Sequence, residues 1–246
     1  MSLTDEIKEY ALSHGAHLVG VAPVERFDGA PRGHHPAELL PGAKSVVVVS
    51  IRLFQSCLDH PKISVGSEII PEESLPGAQQ HFYRRTNYET VNWNLQLVSH
   101  QVAHLLAEAG NNVMPCPVTY YAGGLSSTIP GYFAPLSHRH AAVAAGLGTF
   151  GLNNLVLSPK FGPRNRFNSI ITTAELEPDE MLAEDVCRGE DCRICIDEWP
   201  QCFGELHDLK MNGRSFRMAR MFGCKAGCGG GGCIRVCPVQ RTIKRA

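Results

Sequence analysis

Eight of the chain's ten cysteines fall in its last sixty residues: Cys187, Cys192, Cys195, Cys202, Cys224, Cys228, Cys233 and Cys237. Only Cys57 and Cys116 precede them. Eight thiols make two sets of four, the number that two [4Fe–4S] clusters require. Cys233-x3-Cys237-Pro238 is the closing half of a two-cluster binding run, whose last cysteine ligates the other cluster. Cys187-x4-Cys192-x2-Cys195 reads as the opening half with two residues inserted. Two other readings stand beside this one. Four-thiolate zinc sites also use closely spaced cysteine pairs, and Cys192-x2-Cys195 fits them. A disulfide framework belongs to short secreted chains. No acidic residue follows Asp208, whereas Lys210, Arg214, Arg217, Arg220, Lys225, Arg235, Arg241, Lys244 and Arg245 are basic. Such cations either stabilise a negatively charged cluster or form a solvated face.

A chain of 246 residues has room for one sizeable domain and a small one. Its formal net charge of −1 gives no global field that would draw nucleic acid or a membrane surface. No stretch reaches the length of a membrane span, and the N-terminus lacks a basic-then-apolar signal pattern. The expected location is the reducing cytoplasm, which suits thiolates held by metal.

Taken in order, residues 1–150 alternate helix and strand. Ser2 or Thr4 can cap a first helix with Leu3, Ile7, Tyr10 and Ala11 on one face, ended by Gly15. Strands are expected at 17–23 (HLVGVAP) and 45–53 (SVVVVSIRL), the second apolar enough to be covered on both faces. The stretch 27–40 reads as a loop, and 54–84 has no clear period. The strongest helical pattern runs over 86–109, with Val91, Leu95, Val98, Val102, Leu105 and Ala109 at steps of four and three. His100 and His104 lie one turn apart on it, but no third ligand accompanies them, so they read as exposed helix residues. A short strand at 112–118, a loop at 120–135, a helix at 136–145 and strands at 155–157 and 167–173 complete this part. The acidic stretch 175–184 reads as a surface helix or linker. Gly146, Gly148 and Gly151 match a dinucleotide-binding spacing, but they follow a helix rather than a strand, so that reading fails.

The run from His138 to Thr173 resembles epoxyqueuosine reductases and reductive dehalogenases. Those families carry A-G-L-G-x-x-G-x-N, here Ala145-Gly146-Leu147-Gly148, Gly151 and Asn153, and then L-x-x-(S/T)-P-x-(F/Y)-G, here Leu155 through Gly162. The resemblance extends back to 39–49 and 17–22 and forward into the cysteines, and is weak between 54 and 130. It implies an α/β (α+β) fold: a nitroreductase-like sandwich on a mixed sheet over 1–178, then a small ferredoxin-like two-cluster domain over 179–246. It also implies two [4Fe–4S] clusters feeding a cobalamin-type corrinoid, with FMN as the alternative that nitroreductase-like folds hold. Corrinoid contacts fall on His138, Arg139, His140, Gly146, Leu147, Gly148, Gly151, Asn153, Ser158, Pro159 and Gly162. A helix C-cap and tight turn is the plain reading of the glycines. By the crossed pattern of two-cluster ferredoxins, Cys187, Cys192, Cys195 and Cys237 hold one cluster, and Cys202, Cys224, Cys228 and Cys233 the other.

The departures are specific. Counting back from the glycines puts Tyr132 where epoxyqueuosine reductases have an acidic proton donor, which makes Tyr132 the candidate catalytic acid; a packed loop tyrosine is the plain reading. Leu152 stands in place of a lysine, and Trp199 in place of the cysteine before Pro200. The helical-repeat domain that helps hold tRNA is expected to be absent, and with it tRNA as a partner; so is the export signal of respiratory dehalogenases. The expected activity is an iron–sulfur, corrinoid-dependent reductase acting on a small molecule or a corrinoid protein. Its electrons would come from a low-potential ferredoxin or flavodoxin, with no membrane partner; a homodimer is compatible with this. The alternatives are an activator that reduces a partner's corrinoid or flavin without substrate chemistry, a flavin enzyme, and a zinc-stabilised module.

Overall fold

The Ser2 hydroxyl accepts the Asp5 N–H at 3.2 Å, and the Asp5 carboxylate accepts the Ser2 N–H at 3.2 Å. This reciprocal cap satisfies donors that a first helical turn leaves without partners. Helix α1 (Leu3–Ser13) then buries Thr4, Ile7 and Ala11, and Gly15 turns the chain. The computed structural model describes residues 1–58, 64–65, 68–69, 81–118, 134–221 and 231–239. Most of the segments expected to be irregular at 54–84 and 120–135 lies outside the described residues, as do Tyr132, Cys224 and Cys228.

The chain divides into two compact units. The first comprises Met1–Ile51, Asn92–Leu147 and Phe167–Met181. Strand β1 (Leu18–Pro23) pairs antiparallel with β2 (Ser45–Arg52), Leu18 opposite Ser50 and Pro23 opposite Ser45. Every residue of β2 from Ser45 to Ile51 is buried, as the unbroken apolar run foretold. A short helix α2 (Pro36–Leu39) interrupts the loop expected at 27–40. Farther along, β3 (Val113–Pro115) pairs antiparallel with a long strand at Asn165–Thr172, which lies beside β2 and makes the sheet four-stranded. The bonds Lys44 N–H to Thr172 C=O at 2.9 Å and Leu53 N–H to Arg164 C=O at 3.0 Å run antiparallel as well. The resemblance implied a mixed sheet; the described pairings of this one are antiparallel.

Helix α3 (Gln55–Leu58) belongs to the second unit, and α4 (Thr90–Glu108) is the long helix. Six residues, Arg84–Glu89, wind into α4 as a π-helix. Val91, Leu95, Val98 and Val102 are buried as expected, but the stripe continues at Leu106 rather than Leu105, one step of four beyond Val102. His100 and His104 are exposed. Helix α5 (His138–Ala144), capped by Ser137, contacts β1, as α1 does. The stretch 175–184 is no helix. Asp179 straps it to β1 and α1, accepting Val21 N–H at 2.8 Å and Lys8 Nζ at 2.7 Å.

The second unit comprises Arg52–Val91, Gly148–Arg166 and Leu182–Ala246. The expected boundary at 178/179 is close to the last division, Met181/Leu182, while 52–91 and 148–166 join the cysteine-bearing part. Strands β4 (Thr149–Phe150) and β5 (Val156–Leu157) form a small ladder; the Asn165–Thr172 strand is β6. Then β7 (Phe203–Met211) and β8 (Arg214–Met221) form a hairpin that the sequence reading passed over. Its turn is Asn212-Gly213 with φ of 50° and 75°, a pairing that matches the twist of the strands it joins. Phe216 and Met218 on β8 are buried, and Phe150 meets Phe216 edge-on at 5.5 Å. Ala219 N–H donates to the Leu152 carbonyl at 2.8 Å. Among the described residues, no helix is long and apolar enough to cross a membrane.

Candidate functional site

Among the described residues, Cys192, Cys195, Cys202 and Cys233 each lie on or at the end of a short helical turn. Cys192 closes a 3₁₀ turn at Gly189–Asp191, and Cys195 lies in α6 (Ile194–Asp197), entered through Arg193 at φ +47°. Cys202 ends a second 3₁₀ turn, Pro200–Cys202. Cys233 lies in α7 (Gly232–Arg235), which contacts α6. The first N–H groups of such turns have no partner inside the turn, and free N–H groups are the usual donors to cluster sulfur. Two such contacts are present at Cys187: its Sγ accepts Leu152 N–H and Gly189 N–H, each at 3.4 Å. The Leu152 donor comes from 35 residues away in sequence.

These sulfurs share one core. Leu152, Ile196, Cys202, Phe203 and Ala219 are buried together, and Cys187, Cys195, Trp199, Leu206 and Cys233 pack against them. Burial pushes the Cys195 thiol up to about 12, reinforced by Cys233, Cys187, Cys237 and Cys192 in that order. Cys116, in the first unit, is also pushed up to about 12, but by burial alone. The contrast separates a structural thiol from one facing four others. Thiols this close oppose one another's ionisation, and a multiply charged metal centre removes that opposition. The set acting on Cys195 contains three cysteines assigned to its cluster and also Cys233, assigned to the other.

Thiolates of this kind are the donors that iron–sulfur clusters use, and Cys187, Cys195, Cys202 and Cys233 meet at one core. Among the described residues, no three His, Cys, Asp or Glu side chains converge on a point where a single ion would sit. Two of the basic residues are engaged elsewhere: Arg214 binds Asp185 at 2.6 Å and the Leu182 carbonyl, and Arg217 binds Glu190 at 3.0 Å and Asp208 at 3.3 Å. For these two, the solvated-face reading holds.

The residues nominated for a corrinoid divide between the units. In the first, His138 bonds Ser169 Oγ at 2.9 Å through Nδ1 and the Pro117 carbonyl at 2.8 Å through Nε2. His140 bonds Ser137 Oγ at 2.7 Å, and burial together with Arg139 pushes it down to about 4, so it is neutral. Burial also lowers Arg139. A Cβ on Gly146 would overlap the Glu180 carbonyl, and Leu147 is buried. In the second unit, a Cβ on Gly148 would overlap the Leu157 carbonyl, and one on Gly151 would meet Leu157 Cδ1 at 2.5 Å. Asn153 accepts Leu155 N–H at 3.2 Å. Ser158 Oγ accepts Phe161 N–H at 3.0 Å, and Ser158 and Gly162 exchange backbone bonds at 2.9 and 2.8 Å; Pro159 is exposed. Within each unit, the close approaches that require glycine are to the chain's own backbone and side chains.

No protein-family profile matches the chain. It is 33% identical over 102 residues to a tetrachloroethene reductive dehalogenase of Desulfitobacterium hafniense, covering 42% of this chain and 15% of that protein. It is 33% identical over 125 residues to an epoxyqueuosine reductase of Staphylococcus aureus, covering 44% of this chain and 30% of that protein. The matches thus span less than a third of the curated relatives. Among solved structures, a reductive dehalogenase described as suggesting a mechanism for B12-dependent dehalogenation superposes with a TM-score of 0.52 at 18% identity, covering 85% of this chain and 26% of that one. That likeness concerns the fold.

Proposed function

The chain belongs to the superfamily of epoxyqueuosine reductases and reductive dehalogenases, and from that premise we propose that it is an iron–sulfur reductase. Two [4Fe–4S] clusters, held by Cys187, Cys192, Cys195 and Cys237 and by Cys202, Cys224, Cys228 and Cys233, take electrons singly from a low-potential carrier such as a ferredoxin or flavodoxin. The observation that carries this reading is the packing of Cys187, Cys195 and Cys233 against the core that buries Cys202. The N–H donors on Cys187 support it, because such bonds stabilise sulfur that carries negative charge. The electrons then pass to a corrinoid, the acceptor that the B12-dependent relative suggests. In the enzyme reading, Tyr132 supplies the proton for reduction at carbon.

One observation favours a second reading. Tyr132 and Leu152 stand where the related families carry an acidic proton donor and a lysine, which suits an activator that reduces a corrinoid held by a partner. Anaerobic purification under iron-replete conditions tests both. About eight iron and eight sulfide per chain are expected, with broad cluster absorption. Zinc in place of iron would sink both readings. Titration with a cobalamin then divides them: a spectral change with thermal stabilisation supports an own corrinoid, and neither supports the activator. Flavin bands in the purified protein would instead choose FMN.

A further inference from the structure

Trp199 stands where the cysteine run leads one to expect a thiol before Pro200. Its indole Nε1 is buried, and among the described residues nothing accepts its hydrogen. A buried N–H left without a partner is costly, so native proteins seldom keep one without a reason. The ring packs against the core that it shares with Cys187, Cys195, Cys202 and Cys233. Its nitrogen edge lies on Gly232, the residue before Cys233: a Cβ there would meet Trp199 Cε2 at 2.6 Å and Nε1 at 2.8 Å. Any side chain at 232 would displace the indole. The Arg235 guanidinium lies 5.9 Å from the ring centre on the other flank of the Cys233 turn. Among the described residues, the sulfurs of this shared core are acceptors close to the ring.

We propose that the Trp199 Nε1–H donates a hydrogen bond to a sulfur of one of the clusters and thereby raises that cluster's reduction potential. The proposal rests on the iron–sulfur reading above. Reduction adds one electron to the cluster and moves no atom; the proton stays on the indole nitrogen. The reduced cluster is more negative, so the same N–H holds it more strongly than the oxidised one. Trp199 thus turns a lost ligand position into a tuning contact, while the Pro200–Cys202 turn carries a thiol one step farther along the chain.

Trp199→Phe removes the donor and keeps the aromatic packing. Anaerobic protein is titrated with dithionite, and each cluster is followed by electron paramagnetic resonance. One cluster should become harder to reduce: at its wild-type midpoint, the ratio of reduced to oxidised form should fall about tenfold. Iron and sulfide content should stay at the wild-type level. Unchanged midpoints at full iron content overturn the proposal. Should the variant lose its clusters, wild-type protein labelled with ¹⁵N in its indoles decides the matter. Its reduced cluster should show a coupled ¹⁵N in electron–nuclear double resonance. Trp93, the other tryptophan, is 75% exposed on α4 and can be replaced by Phe to assign the signal. No coupling overturns the proposal. Wild-type protein without iron–sulfur clusters overturns the underlying reading and this proposal with it.

Discussion

Replacing Cys195 with alanine should halve the iron and sulfide of the anaerobic protein, from about eight of each per chain to about four. Cys195 is the thiol on which four others act, so its loss removes a ligand from the most crowded part of the set. Cubes with three protein thiolates survive only where something else completes the fourth corner, and the methyl group of alanine cannot. The crossed assignment makes the experiment sharper. Cys237→Ala should remove the same half, and the double variant should lose no more than either single one, since ligands of one cluster are not additive. Cys202→Ala should remove the other half, and combined with Cys195→Ala should leave almost no iron. Cys233 is the informative control. It acts on Cys195 more than Cys237 does, although the crossed pattern gives it to the second cluster. If the Cys195 and Cys233 variants lose one shared half while Cys237→Ala loses the other, the crossed pattern is wrong for this chain. Full retention of iron in Cys195→Ala would remove Cys195 from the ligands altogether.

What could be read from the sequence was what depends on neighbours in sequence. The Ser2 cap, the unbroken apolar run of β2 and the stripe from Val91 to Val102 are local patterns, and all stand. So is the grouping of thiols, because the Cys187, Cys192 and Cys195 turns are set by spacings of a few residues. Asn212-Gly213 is just as local and was a readable hairpin signal, yet attention to the cysteines on either side passed over it. Contacts between distant segments could not be read. The Leu152 N–H that reaches Cys187 stands where the related families have lysine, and nothing at that position announces its backbone as a donor. The acidic stretch around Asp179 carries helix-forming residues, but its conformation is set by the Val21 and Lys8 groups that Asp179 binds. The glycine run is a local pattern that the sequence displays directly. Which surfaces the glycines meet depended on the carbonyls of Glu180 and Leu157.

Gly146→Ala should destabilise the protein by about 2–5 kcal/mol in the absence of any added cofactor. Gly146 ends α5 at φ +71°, its N–H donating to the Val143 carbonyl at 3.1 Å and the next N–H, of Leu147, donating to Ala142 at 2.9 Å. This is the Schellman closure, in which a left-handed residue satisfies the last helical carbonyls. A methyl group there meets two obstacles. The left-handed conformation costs about 1–2 kcal/mol for any residue with a Cβ. The Cβ would also overlap the Glu180 carbonyl, a backbone atom that cannot turn aside, which adds about 1–3 kcal/mol. Gly151→Ala is the matched comparison. It lies outside the positive-φ positions, and its Cβ would meet the flexible end of Leu157 at 2.5 Å, so it should cost markedly less. Anaerobic urea unfolding followed by circular dichroism reads both, as a lower midpoint at similar slope. The two roles weighed for this glycine predict different things. If Gly146 serves the chain's own packing, the protein without corrinoid is already weakened. If it is glycine so that a macrocycle can approach, that protein is unaffected and only cobalamin affinity falls. An unchanged urea midpoint together with weakened cobalamin binding would therefore restore the glycine run to the cofactor and favour the enzyme over the activator.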